Sequence, residues 1–279
     1  MSSLQNLIES APGFSARPDS IISLLEIIED PEVDVDKLLP IVDHDPGLTA
    51  GLLKLCNSPL YSFKRRIGSP RDALVLVGNL TFARLCFTLS LEPVLNNDLP
   101  GYDLDLDDLW KHSLTTAYGA AFLVKSIGLG DMRDRAFTAG LLHDIGKLVL
   151  DNGLAEGASN VEGNVSMDLE RQCTGFDHAE AGAALLESWD VPDQVVAAVR
   201  WHHDPLRAGD HKRLALAVSV ANEVGNFASR LSAGSSTVDK WVQKTFESSA
   251  FPLEKIGNLA STITDKNQNI LALALGPGL

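Results

Sequence analysis

Histidine and aspartate are the residues with which this sequence could do chemistry. Seven histidines are present, and five of them fall in four segments of helical periodicity. His112 lies in the middle of one segment, His143 directly precedes Asp144 in the next, His178 opens a third, and His202-His203 closes a fourth. Imidazole nitrogen and carboxylate oxygen together suit a transition metal such as Fe, Mn, Zn or Ni. A carboxylate can also bridge two ions about 3.5–4 Å apart, as in two-metal hydrolases. Neighbouring residues of a regular helix do not share a face. His143 and Asp144 therefore reach one site only if it lies astride the line between them, or if the helix is distorted there. The same holds for His202 and His203. On the residues alone, two readings stay open. In one, bundled helices aim His112, His143, Asp144, His178, His202 and His203 into a metal-holding pocket. In the other, the same groups are hydrogen-bonded core groups with no ion.

The elements that must position these residues are helical. Leu24, Leu25 and Ile28 form an apolar face after Pro18, a residue suited to a first helical turn. Leu38, Leu39 and Val42 form a second short face, and a turn at Asp45-Pro46-Gly47 leads to Leu48, Leu52, Leu53 and Leu55. Ser69-Pro70 is a helix start, a capping hydroxyl before a first-turn proline, and that helix ends near Gly78-Asn79. A longer apolar segment runs from Leu80 to about Leu95. The polar stretch NNDLPGYDL, residues 96–104, is the subdomain boundary of the first half. Asp105, Asp107 and Asp108 then place negative charge at the start of a helix that runs to about Ile127, where Gly128 and Gly130 stop it. Asp131 can cap the next helix, expected from Ala136 to about Leu150, and residues 151–164 read as loop. Further helices fit about 166–173, 178–189, 192–203 and 212–232, and the tail 237–274 reads as helical. No strand, internal repeat or low-complexity tract stands out. The expected fold is all-α: a multi-helix bundle with an N-terminal helical subdomain. Its divisions are 1–100, a histidine-bearing core at 101–232, and a C-terminal helical extension at 233–279.

Composition narrows the function classes. The chain has 279 residues, 45% of them apolar, which supports a buried core. Its net charge of −14 repels phosphate backbones, so general nucleic-acid binding is not expected. Three scattered cysteines without a CxxC make a disulfide framework improbable on chemical grounds and fit a reducing cytosol. The first residues lack a basic region followed by an apolar stretch, and no run approaches the ~18 apolar residues of a membrane span. The expectation is a cytoplasmic protein with no membrane partner. The one basic cluster, Lys64-Arg65-Arg66 with Arg71, reads as a solvated loop, with docking of an acidic partner as the alternative. Trp110, Trp189 and Trp201 read as packing residues, and Asn57 and Ser58 as a turn or helix end.

Several motifs in order carry a more specific message. GLLHDIGKL (140–148) resembles the signature of the HD superfamily of metal-dependent phosphohydrolases. DPGLTAGLLKLCNSPLYS (45–62) and SPRDALVLVG (69–78) resemble the HDOD family. WKHS (110–113), AFTAGLLHDIGKLVL (136–150), FDHAEAGAALLESWDVP (176–192) and AVRWHHDP (198–205) continue the pattern, over about residues 5–225. The resemblance implies an HD-like helical fold and a role in bacterial signal transduction, through signalling proteins in trans or a small phosphorylated ligand. It implies no general catalytic activity. By similarity to the related HD-GYP phosphodiesterases, His112, His143, Asp144, His178, His202 and His203 each stand where a metal ligand belongs. Lys147 stands where a lysine faces the substrate phosphate, a catalytic role only if the chain is an enzyme. Two departures count against catalysis. DPLRAGD (204–210) replaces the GYP stretch, and the last expected Asp ligand is Asn222 in SVANEV (219–224). The alternative to a regulatory protein is a divalent-metal phosphohydrolase acting on cyclic dinucleotides or nucleotides.

Overall fold

A computed structural model of the chain describes residues 3–11, 19–29, 35–59, 61, 63, 66–105, 107–157, 165–230, 243, 246 and 251–264. Among them there is no strand. A lone antiparallel bridge joins Leu99 and Leu104. The fold is all-α, as the periodicity predicts. The chain forms two compact units, one built on residues 17–94 and the other on 1–16 and 95–270.

The first unit contains α2 (Asp19–Glu29), α3 (Val35–Asp43), α4 (Pro46–Cys56), α5 (Pro70–Val77) and α6 (Asn79–Leu95). Their apolar stripes supply Leu24, Leu38, Leu52, Phe82 and Phe87, all fully buried. The turn expected at Asp45-Pro46-Gly47 is instead a helix start: Asp45 accepts a bond from Leu48 N at 2.9 Å, and Pro46 occupies the first turn. Ser69 caps α5, accepting from Asp72 N at 3.1 Å, as the Ser-Pro pair implies. Asn57 ends α4 and does more than turn the chain. Its amide donates to Leu53 O and Ile67 O at 2.8 and 2.9 Å, and its carbonyl accepts from Ile67 N at 2.8 Å. Lys64 and Arg65 of the basic cluster lie outside the described residues.

The second unit carries the histidines. It holds α1 (Leu4–Ser10), α7 (Asp108–Ser126), α8 (Arg133–Leu142), α9 (Gly146–Gly157), α10 (Met167–Thr174), α11 (His178–Ser188), α12 (Asp193–Arg200), α13 (Lys212–Arg230) and α14 (Leu253–Thr264). At its centre α7 packs against both α8 and α13. Small residues allow this: a Cβ on Gly140 of α8 would sit 2.7 Å from Ala117 Cα of α7. The close crossing brings the histidine of α7 to the end of α8.

Three further sequence expectations need correction. The single helix expected from Ala136 to Leu150 is two helices, because residues 143–145 form a turn. Backbone bonds there close over three residues, Ile145 N to Leu142 O at 3.0 Å and Lys147 N to Asp144 O at 3.0 Å. The apolar period runs straight through the break, so no pattern exposes it. Asp131 does not cap α8: it lies in a short 3₁₀ turn, Gly130–Met132, and Met132 precedes the helix. Residues 151–157, expected as loop, extend α9, while 158–164 lie outside the described residues.

Candidate metal centre

Four of the five histidines singled out by type and spacing reach one carboxylate, and the fifth, His203, joins them through His178. His112 sits in the second turn of α7. His143 and Asp144 occupy the turn between α8 and α9, and this break, not a helical face, lets adjacent side chains enter one site. His178 is the first residue of α11, fixed by a capping box in which Asp177 accepts from Glu180 N at 2.7 Å. His202 and His203 lie in the turn after α12, again outside regular helix. Both local distortions that the adjacency of these pairs demands are present.

The geometry is two-sided. Around Asp144 Oδ2 stand His112 Nε2 at 3.6 Å, His143 Nε2 at 3.4 Å and Lys147 Nζ at 2.6 Å. Around Oδ1 stand His178 Nε2 at 3.3 Å and His202 Nε2 at 3.8 Å. His203 Nε2 joins the second side, 2.9 Å from His178 Nε2. Two groups of donors result, His112/His143/Asp144 and His178/His202/His203. Within each, the donor atoms lie within 4.8 Å of one another. Both groups could hold a metal ion.

The outer nitrogens fix the rings. His143 Nδ1 faces Gly140 O at 2.8 Å, His202 Nδ1 faces Val199 O at 2.7 Å, and His178 Nδ1 faces Glu170 Oε1 at 2.8 Å. An oxygen opposite Nδ1 demands a proton on Nδ1, so each neutral ring turns an Nε2 lone pair toward Asp144. This is the outer-shell pattern that orients metal-binding histidines. His202 Nε2 is buried with no hydrogen-bond partner among the described residues. A buried acceptor with nothing to accept is costly, and a cation would satisfy it.

Electrostatics favours neutral rings and an ionised carboxylate. Burial pushes His112 down to about 3 and His143 down to about 4; Lys147 adds to the lowering and the Asp144 carboxylate opposes it. His203 falls to about 4, and His202 is held well below the ordinary imidazole range, mainly by burial. Burial alone would raise the Asp144 carboxyl. His143, Lys147, His178 and His112 outweigh it and hold the group well below the carboxylate range. With His112, His143, His202 and His203 neutral near pH 7, Lys147 is a standing cation beside Asp144.

The centre opens into two clefts of about 490 and 500 Å³. Tyr102, Glu170, His178 and His203 line the first, and Asp108, Lys111, His112 and Thr115 the second. Leu104, Asp144, Lys147 and Asn226 belong to both. Lys147 is thus neither a solvated surface lysine nor free of the site: it is ion-paired to Asp144 and stands between the clefts.

The family model of the HDOD domain matches residues 15–205, more than half of the chain. The chain belongs to the HDOD family. An uncharacterized protein of Treponema pallidum is 27% identical to this HDOD protein over 215 residues, which are 74% of the present chain and 40% of the relative. The chain therefore spans well under half the length of that relative. Two solved structures share the fold. One is a candidate phosphohydrolase of Shewanella amazonensis, 24% identical, with a TM-score of 0.72 over 98% of this chain and 96% of that one. The other is an HDOD domain protein of unknown function from Geobacter sulfurreducens, 22% identical, with a TM-score of 0.70 over 94% and 96%.

Two residues of the HDOD pocket carry no sequence signal of their own. Glu170 of α10 is buried and accepts from both the backbone N–H of His178 and its ring, at 2.8 Å each. Nothing in MDLERQCT sets it apart from a helix-surface glutamate. Gly146, inside the motif, lies so close to α11 that an added Cβ would sit 1.9 Å from His178 O. Asn222 of α13 is buried where the resemblance expects an aspartate, and its Oδ1 accepts from Asn226 Nδ2 at 3.0 Å. Its carbonyl is already engaged and carries no charge. His44 and His211 stay outside the centre; His44 Nδ1 instead meets Pro40 O at 2.6 Å.

Proposed function

We propose that this HDOD protein is a signalling component that works by binding, and that its His/Asp pocket holds a divalent transition metal, Fe, Mn, Zn or Ni. His112, His143, Asp144, His178, His202 and His203 would hold the metal. One observation carries the reading: four imidazole Nε2 atoms stand within 3.8 Å of the two oxygens of a single buried carboxylate, and a fifth, that of His203, lies 2.9 Å from His178 Nε2. Three of those rings are pre-oriented by oxygens at Nδ1, and one Nε2 has no other partner. The clefts beside it suit a small anionic ligand, for which Lys147 is the facing cation. Partners would be signalling proteins acting in trans, with neither nucleic acid nor membrane involved. Among the described residues, no helix is long and apolar enough to cross a membrane.

A phosphohydrolase is the second reading, and the placement of Lys147 at both clefts favours it. A bound ion would supply the Lewis acidity for phosphoester hydrolysis. Lys147 would hold the phosphate, and Glu170 would keep His178 in its tautomer. Asn222 weighs against turnover, because an amide adds no charge where a carboxylate is expected.

Elemental analysis of the protein purified without a His-tag tests the metal. One to two equivalents are expected, and a protein that contains none and takes up none on titration overturns that part. Incubation of the loaded protein with cyclic dinucleotides and nucleotides tests the rest. Turnover by the wild type overturns the binding role. Hydrolysis gained only on Asn222→Asp supports an enzyme lineage one ligand short.

A further inference from the structure

The two halves of the centre are not equivalent. Asp144 Oδ2 already has a strong partner in Lys147 at 2.6 Å, whereas its Oδ1 has only His178 and His202 at 3.3 and 3.8 Å. Those distances exceed a good hydrogen bond. His112 and His143 can satisfy each other: Nε2 of His143 carries a lone pair, and Nε2–H of His112 can donate to it across 3.1 Å. His178 and His203 can pair in the same way at 2.9 Å, yet His202 Nε2 is then still left over. Among the described residues, only the Oδ1 side contains a buried donor atom that no arrangement of protons satisfies.

Charge points the same way. Asp144, Glu170 and Lys147 together carry one net negative charge, and an imidazole, protonated or not, adds no negative charge. One divalent ion leaves one net positive charge in the pocket, and two leave three. Buried like charges on that scale are strongly unfavourable without further carboxylates. Asn222 supplies none.

We propose that the pocket takes one divalent cation, seated on His178, His202, His203 and Asp144 Oδ1. The Lys147 ammonium serves as the built-in second cation on the His112/His143 side. The inference rests on the metal reading above and narrows it to one ion and one half of the centre. Asp144 then bridges a metal and an ammonium instead of two metals.

The test is metal stoichiometry and Mn²⁺ paramagnetic resonance on the full chain, stripped with chelator and reloaded with Mn²⁺ or Zn²⁺. The wild type should take up one equivalent and give the signal of an isolated Mn²⁺. His112→Ala should keep one equivalent, whereas His202→Ala should lose it. His202→Asn, which keeps a buried polar group, repeats that test if the alanine variant does not fold; thermal unfolding checks each variant. Lys147→Met combined with Asn222→Asp should raise uptake to two and produce a coupled Mn²⁺ pair. Two equivalents in the wild type overturn the proposal, as does loss of the ion in His112→Ala with retention in His202→Ala. No uptake by any variant overturns the metal reading itself, and this inference with it.

Discussion

Replacing Gly146 by alanine is the sharpest probe of how the helices hold the centre. The added Cβ would lie 1.9 Å from His178 O and 2.4 Å from Gly182 N, both backbone atoms of α11. Carbon and carbonyl oxygen come no closer than about 3.3 Å in ordinary weak contacts. Helices α9 and α11 must therefore part by roughly 1 Å or more, since no side-chain rotation relieves a backbone clash. Overpacking of a well-filled interior costs about 1–3 kcal/mol, and rigid atoms on both sides put this case at about 3 kcal/mol or above. For a unit of this size that corresponds to a fall in melting temperature of about 6–12 °C. The same displacement pulls His178 away from Asp144, so metal uptake should weaken with stability. Gly257 of α14 is the control: its added Cβ meets nothing within 4 Å. Gly257→Ala should raise stability by about 0.5–1 kcal/mol through helix propensity alone. Calorimetric melts of both variants with the parent decide the matter. A Gly146→Ala protein that melts with the parent and binds metal equally well would refute the account of this helix contact.

Three further outcomes are expected. Glu170→Ala leaves two His178 donors unpaired in a buried place, and should cost roughly 2–4 kcal/mol and weaken metal binding about 10–100-fold; unchanged affinity by calorimetric titration would remove Glu170 from the centre. Acid should destabilise the metal-stripped protein. His143 falls from an ordinary 6.5 to about 4 on folding, so the unfolded chain binds the proton first as pH drops. The stability it contributes is fully present above about pH 6.5 and is lost toward pH 4, about 3 kcal/mol for this residue alone. Equal urea midpoints at pH 7 and 4.5 would contradict that sign. Asn57→Ala should lower the stability of the first unit by about 1–3 kcal/mol, because the amide makes two bonds to Ile67 and one to Leu53 O of α4; a urea midpoint equal to the parent's would show those bonds to be dispensable.

What the sequence makes legible follows physical type. Helices with clear caps are readable: Ser69-Pro70 opens α5 and Gly128 follows the end of α7, because hydroxyl capping and left-handed glycine are local chemistry. The six candidate ligands are also readable as candidates, since imidazole beside carboxylate is rare in an apolar context. Their convergence is not readable from periodicity. It depends on a turn at 143–145, inside a segment whose apolar spacing looks uninterrupted, and another at 201–203, at the end of one. The polar stretch at 151–157 misleads in the opposite sense. Asp151 looks like a loop residue, yet it is buried and accepts from Gly101 N at 2.8 Å, a partner fifty residues away. Glu170 is hidden for the same reason: its role comes wholly from a tertiary partner.

The turn at His143–Ile145 also bears on how the centre opens in time. Its backbone bonds, Ile145 N to Leu142 O and Lys147 N to Asp144 O, close over only three residues and span both motif residues. Opening this one turn would withdraw His143 and Asp144 together, so a ligand bridging the two sides is expected to leave in a single local event, which slowed amide exchange at 143–147 on ligand addition would reveal. Amide exchange at residues 143–147 thereby becomes a direct clock for residence in the pocket. Whatever binds there sets the pace of that clock, while the long helices α7 and α13 keep their own.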